Sequence, residues 1–219
     1  MNENSSSLLN FETAVNQTDK TDKTDKTDLI KISNTDFMVG VFCDITGSDR
    51  PIVVSFQGNP NNAGTKAWCG KPWIADKTQL SDDHNNYTSF ATYKPNEEGK
   101  YRRQKNQFTA LFAVMLDDIG SKVPLDRITL DPSWMIETSK DNFQIGFILA
   151  EPITDAREAD QLVTAIIDAG LTDPGANGPC SRLGRLPVAI NGKHLNEEGL
   201  VWNCELKEWH PYLRYSVQE

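Results

Sequence analysis

Polar and apolar positions divide this chain into a polar start and a body of short apolar runs. Residues 18–28 repeat Thr-Asp-Lys without one apolar side chain. Such a segment cannot bury enough surface to offset the entropy lost on ordering. We therefore predict a disordered tail over residues 1–28 and one folded domain over residues 29–219, a length that suffices for a hydrophobic core.

The apolar runs of the body are rich in β-branched and aromatic residues, which is typical of strands. The runs span residues 37–42, 51–56, 87–93, 108–116, 133–139 and 144–150, with shorter ones at 183–190 and 200–206. The polar Lys140, Asp141 and Asn142 between two of these runs predict a tight hairpin.

One segment has helical rather than strand periodicity. Apolar residues recur at 159, 162, 163, 166 and 167, after capping residues at Thr154 and Asp155 and before Gly170. Strands, a hairpin, a helix and further strands follow one another along the chain. This order predicts an α+β fold with an antiparallel or mixed sheet flanked by helices.

Composition argues against several classes of protein. The four cysteines are far apart and form no CxxC pair, which argues against a zinc knuckle or a disulfide framework. No apolar run reaches the roughly 18 residues of a membrane span, so we expect no membrane segment. The net charge of −9 argues against a protein that coats nucleic acid, because such binding depends on neutralising phosphates.

Any contact with nucleic acid should therefore come from local patches. Arg102, Arg103 and Lys105 form the densest basic cluster, with Trp68 and Trp73 earlier in the chain. These residues could contact a single-stranded template by charge and stacking. A solvated basic loop explains the cluster equally well.

Two adjacent carboxylates, Asp117 and Asp118, stand where the apolar run 108–116 stops. At about 4 Å two such charges repel by roughly 4 kcal/mol at an effective dielectric constant near 20, so a buried pair needs a cation or a proton. Magnesium or manganese is the ordinary solution. The alternative is that one aspartate caps a turn and the other is solvated. Because neighbouring strand residues point to opposite faces, a shared site requires a bend, to which Gly120 is suited.

A compact basic block follows further along the chain. It contains Arg182, Arg185, Asn191 and Lys193. Guanidinium groups bind phosphate oxygens in pairs and an ammonium adds a point charge, so the block could hold a triphosphate. A solvated surface is the alternative. Asp173 lies between the acids and the block, before Pro174 and Gly175, in a sequence that is also common in turns.

The order of these motifs resembles that of the archaeo-eukaryotic primase superfamily, especially its RepB-like primases and primase-polymerases of phages and plasmids. Four motifs carry the resemblance, at residues 115–120, 137–144, 173–176 and 182–193. The last is the most specific, because it matches an Arg-Leu-Pro-Gly type signature followed by Asn-x-Lys, with Val188 in place of glycine.

The resemblance implies an RRM-like catalytic module and roles for particular residues. The catalytic acids would bind two Mg²⁺ or Mn²⁺ ions; they are Asp117, Asp118 and Asp173. The nucleotide-binding residues would be Ser139, Gln144, Arg182, Arg185, Asn191 and Lys193. Gln144 stands where histidine is commoner, which removes a positive charge from the nucleotide site.

The function that the resemblance implies is primer synthesis on single-stranded DNA from nucleoside triphosphates, in the cytoplasm of a bacterial host during phage or plasmid replication. Two alternatives stay open. The first is a replication initiator or single-stranded DNA-binding module that keeps the fold without catalysis, and the second is a metal-dependent nuclease. The chain contains no Walker motif, so we expect a separate helicase partner.

Overall fold

The computed structural model describes residues 11–13, 31–176 and 178–217. The tail predicted over residues 1–28 lies outside the described residues, apart from the backbone of one short strand. The α-helices among the described residues are α1 (Asn34–Val41) and α2 (Ala156–Asp168). The strands are β1 (Phe11–Thr13), β2 (Arg50–Phe56), β3 (Lys71–Pro72), β4 (Asn85–Tyr93), β5 (Phe108–Ile119), β6 (Trp134–Ser139), β7 (Asn142–Ile153), β8 (Leu183–Arg185), β9 (Ile190–Leu195), β10 (Val201–Asn203), β11 (Glu205–Trp209) and β12 (Arg214–Val217).

Ten of the described strands form one sheet, whose main path runs β1-β12-β7-β5-β4-β2-β3. Its strand pairings are antiparallel except that of β12 with β7. The same edge of β4 pairs with β8 through residues 87–89 and with β5 through residues 91–93. Strand β8 therefore occupies the part of this edge that β5 does not pair with. This arrangement brings the basic block beside the end of β5. Strands β9 and β10 form a separate hairpin.

Helix α2 packs on β5 and β7. The Asp155 side chain caps its start by accepting the backbone N–H of Arg157 at 2.7 Å. Ala159, Leu162 and Ile166 are buried, as one apolar face of a helix requires. The predicted helix is confirmed, and so is the α+β class.

The strand predicted over residues 37–42 was wrong, because this segment forms most of helix α1. Ser33 and Asp36 form a capping box in which the side chain of each accepts the backbone N–H of the other, both at 3.0 Å. The buried side chains of the helix are Phe37, Met38 and Val41. Their spacing fits one face of a helix as well as a strand. The capping box that precedes them favours the helix.

The longer predicted strands correspond to β2, β4, β5, β6 and β7. Lys140 and Asp141 form the tight turn between β6 and β7, as predicted. Among the described helices, none combines the length and the apolar character that crossing a membrane requires.

Candidate active site

Strand β5 ends in a bend that carries Asp117 and Asp118. The pairing register with β7 shifts across these residues, and Asp118 has a φ of 58°, in the left-handed region. Gly120 follows with a φ of 92°, and a Cβ there would lie 2.3 Å from the Asp141 carbonyl oxygen. The bend that a shared site requires therefore starts at Asp118 itself and continues through a position that only glycine can occupy without strain.

The third acid, Asp173, lies against the same strand end. Its backbone N–H donates to the Asp117 carbonyl oxygen at 3.3 Å, and the Asp117 N–H donates to the Thr172 hydroxyl at 2.9 Å. The Lys122 ammonium then joins two of the acids, at 2.8 Å from the Asp118 carboxylate and 3.0 Å from that of Asp173. The structure thus gathers the three aspartates singled out in the sequence into one cluster.

Two amide side chains of β7 hold the aspartates of β5. Gln144 Nε2 donates to Asp117 Oδ1 at 3.1 Å, and Asn142 Nδ2 donates to Asp118 Oδ1 at 3.1 Å. The side-chain oxygen of Gln144, Oε1, also accepts the backbone N–H of Arg185 at 2.8 Å. Gln144, expected at the nucleotide, therefore bridges the acid cluster and strand β8.

Arg182 supplies the second cation of the cluster. Its Nη2 lies 3.0 Å from Asp117 Oδ2, and its side chain is only 14% exposed. The Nε of Arg182 is buried and has no hydrogen-bond partner among the described residues. Burial lowers the pKa of the guanidinium, while Asp117 and the other carboxylates act in the opposite direction.

The charges of the cluster also shift its other groups. Burial raises the pKa of Asp118, but hydrogen bonds from Lys122 and Asn142 outweigh that effect and hold the pKa below its ordinary value. The same contacts with Asp118 and Asp173 raise the pKa of Lys122. Asp118 is therefore ionised and Lys122 charged at neutral pH.

Arg185 and Asn191 lie inside the fold. The Arg185 guanidinium donates to the Ile190 carbonyl oxygen at 2.7 Å and to Asn191 Oδ1 at 2.6 Å, and it lies 4.6 Å from the centroid of the Tyr87 ring. Asn191 Nδ2 donates to the Thr138 carbonyl oxygen at 2.6 Å. These contacts link β4, β6, β8 and β9. These two residues of the basic block therefore stabilise the strands around the site and do not line its cleft.

An open cleft of about 400 Å³ lies beside Asp118. Its polar and aromatic lining consists of Asp118, Ser121, Ser139, Lys140, Asn142, His194 and Trp202. Lys193, next to this lining in sequence, has an exposed side chain on β9. The volume lies within the range of small-molecule sites in proteins. Of the predicted nucleotide ligands, Ser139 reaches this cleft, and the β9–β10 hairpin forms its far wall.

The basic loop before β5 is largely engaged with the protein itself. Arg103 donates to the carbonyl oxygens of Ser181 at 2.6 Å and Trp68 at 3.1 Å. Lys105 forms an ion pair with Asp160. Trp73 is buried in the core. The remaining basic residue, Arg102, is exposed.

Several residues of the site were missed in the sequence. They are Lys122, Asn142, Thr172, His194 and Trp202. The i, i+4 spacing of Asp118 and Lys122 was a usable signal, since such pairs form ion pairs across one turn. Trp202 and His194 gave no signal in the sequence, because pairing of β9 with β10 is what brings them to the cleft.

Comparison with known proteins places the fold. No protein-family model matches the chain, and no curated protein sequence matches it either. Among solved structures, the AEP domain of the cyanophage S-2L primase-polymerase is similar, with a TM-score of 0.51 and 14% sequence identity over 80% of this chain and 91% of that one.

Two structures of the primase RepB' are similar as well. One has a TM-score of 0.53 and 15% identity, and the match covers 82% of this chain and 57% of that one. The other, a catalytic domain in complex with initiator DNA, has a TM-score of 0.50 and 18% identity, over 82% of this chain and 87% of that one. The chain therefore has the archaeo-eukaryotic primase fold, as the sequence motifs predicted.

Proposed function

We propose that the chain is a nucleotidyltransferase that synthesises primers on single-stranded DNA. The observation that carries the proposal is the convergence of Asp117, Asp118 and Asp173 on one strand end within a primase fold. Two of the similar structures are a primase-polymerase domain and a primase bound to initiator DNA, which supports DNA as a partner. Phage or plasmid replication with a separate helicase is the context that we propose.

The donor set of the cluster fits a hard divalent cation, because carboxylate oxygens are the ligands that Mg²⁺ and Mn²⁺ prefer. The three aspartates would hold the metal. Such a metal would activate a 3′-hydroxyl and neutralise the leaving pyrophosphate.

The remaining tasks belong to the side chains around the acids. Gln144 and Asn142 hold the two carboxylates of β5 in place. Ser139 and Trp202 line the cleft, where a sugar and a base would fit, and the Trp202 ring offers a stacking face. Lys193 adds an exposed positive charge for phosphate oxygens.

A non-catalytic DNA-binding module is the second candidate, and one observation favours it. Each of the three carboxylates already has a cationic or amide partner in the protein. In the described ranges no group of three His, Cys, Asp or Glu side chains stands ready to hold a metal. Metal binding would therefore require these partners to give way.

The deciding experiment incubates the purified chain with single-stranded DNA, nucleoside triphosphates and Mn²⁺. Products longer than the input are expected, and Asp117→Asn should reduce their yield at least about 100-fold while DNA binding is retained. Asp82→Asn is the matched control, because Asp82 belongs to the chain's other aspartate pair, in an exposed loop, and should change nothing.

The product pattern separates the three functions. Shortened DNA that also depends on Asp117 would identify a nuclease. Unchanged DNA that is nonetheless bound would identify the non-catalytic module. Either outcome would overturn the proposed primer synthesis.

A further inference from the structure

Lys122 is the exposed cation of the acid cluster. Its backbone N–H donates to the Asp118 carbonyl oxygen at 2.9 Å, which fixes the start of the side chain one turn beyond the acid. The ammonium lies between the carboxylates of Asp118 and Asp173. The side chain is nevertheless 59% exposed, so its end is free to move into water.

Arg182 differs from Lys122 in how far its side chain is exposed to water. It neutralises Asp117, but its side chain is only 14% exposed and is packed within the protein. The two cations of the cluster therefore differ in mobility: the guanidinium is part of the packed site, and the ammonium is an exposed point charge on a flexible stem.

A divalent metal needs the same carboxylate oxygens that Lys122 now contacts. An ammonium and a metal ion cannot share the space between Asp118 and Asp173, because both are cations that bind the same lone pairs. Moving the ammonium into water is cheap, since exposed ion pairs contribute little to stability.

We infer that Lys122 is a built-in counter-ion that competes with the divalent metal for Asp118 and Asp173 and so sets the metal concentration at which the site fills. The inference rests on the proposed function, since it concerns the same acids. Without metal, Lys122 keeps the clustered carboxylates from repelling one another. When metal binds, the ammonium is displaced toward solvent.

The test is direct measurement of Mn²⁺ binding by electron paramagnetic resonance of the free ion, without DNA or nucleotide. Lys122→Met should bind Mn²⁺ about threefold to tenfold more tightly than the parent chain, because it removes the competing charge. Lys122→Arg keeps the charge and should bind no more tightly than the parent. Asp173→Asn should weaken binding in either background.

Lys100→Met is the matched control. Lys100 is also exposed, at 62%, and its ammonium also lies 2.8 Å from a carboxylate, that of Glu98. This ion pair is separate from the acid cluster, so its removal should leave the Mn²⁺ affinity unchanged.

Thermal unfolding supplies a second readout that does not depend on activity. Without metal, Lys122→Met should unfold at a lower temperature than the parent, because three carboxylates then share one cation, Arg182. Saturating Mn²⁺ should raise its unfolding temperature by more than it raises that of the parent.

The possible failures are distinct. Equal Mn²⁺ affinity in the parent and Lys122→Met, with binding still dependent on Asp173, would overturn the competition and leave the metal site standing. No saturable binding in either protein would overturn the competition together with the proposed metal-dependent function.

Discussion

Arg185 and Lys193 belong to one basic block of the sequence, yet the fold gives them different environments. Arg185 is 4% exposed and donates to two oxygens of β9, whereas Lys193 is exposed on the same hairpin. A buried guanidinium with these partners stabilises the fold, because its loss would leave acceptors without donors. An exposed ammonium is available to a ligand.

Two variants should separate these roles. Arg185→Met should lower the free energy of unfolding by about 2–4 kcal/mol, because the Ile190 carbonyl and Asn191 Oδ1 lose their donor. Lys193→Met should change it by less than about 0.5 kcal/mol, but it should raise the KM for nucleotide. Urea denaturation and steady-state primer synthesis measure the two effects, and equal losses of stability would contradict the different placements of the two side chains.

At the scale of elements, the site depends on how the end of β5 meets the turn between β6 and β7. Glu137 accepts the backbone N–H of Asp141 at 2.9 Å, which stabilises a turn in which Asp141 has a φ of 56°. The Asp141 carbonyl then lies against Gly120, and Asn142 contacts Asp118. The turn therefore contacts both the bend after Asp118 and the Asp118 carboxylate.

Replacing Gly120 tests this contact between elements. Gly120→Ala should lower the free energy of unfolding by about 2–4 kcal/mol, because the positive φ is strained and the new Cβ overlaps the Asp141 carbonyl. Gly99→Ala is the control: Gly99 has a φ of 74° but no atom within 4 Å of a new Cβ, so only about 1 kcal/mol should be lost. Chemical denaturation gives both values. Similar losses of unfolding free energy in the two variants would show that the close approach of Asp141 to Gly120 does not contribute to the effect.

At the scale of the whole molecule, the charge distribution limits how the protein can hold DNA. The net charge is −9, and Lys105, Lys140 and Arg182 are each paired with a carboxylate. Pairing of this kind reduces the number of described cations that are available to phosphates. DNA binding should depend on a small number of contacts near the site, in contrast to proteins that cover the duplex with basic surface.

Salt dependence checks this expectation. Binding to single-stranded DNA should weaken by less than about tenfold between 50 and 200 mM salt, which corresponds to roughly two phosphate contacts. Asp160→Asn releases Lys105 from its ion pair and should steepen the dependence by about one contact. Fluorescence anisotropy at several salt concentrations measures both, and a loss of three orders of magnitude in the parent would contradict the sparse interface.

Some features of the fold could be predicted because their signals are local. The caps and periodicity of α2, the apolar run of β5 and the turn at Lys140 and Asp141 are each contained in a few neighbouring residues. Helix α1 was missed, although the Ser33 and Asp36 cap was readable, because the run after it also suits a strand. The order of the motifs was enough to predict the primase fold.

The sequence by itself determined which chemical groups are present and in what order: the acid pair at the end of an apolar run, a third acid, and a basic block. Only the tertiary structure decided which of these groups meet. Asp173 reaches Asp117 through a backbone hydrogen bond across the fold, Lys122 bridges two acids, and Arg185 is buried. Such contacts depend on how strands pair and on which edge β8 occupies, and residues remote along the chain carry no local signal of that pairing.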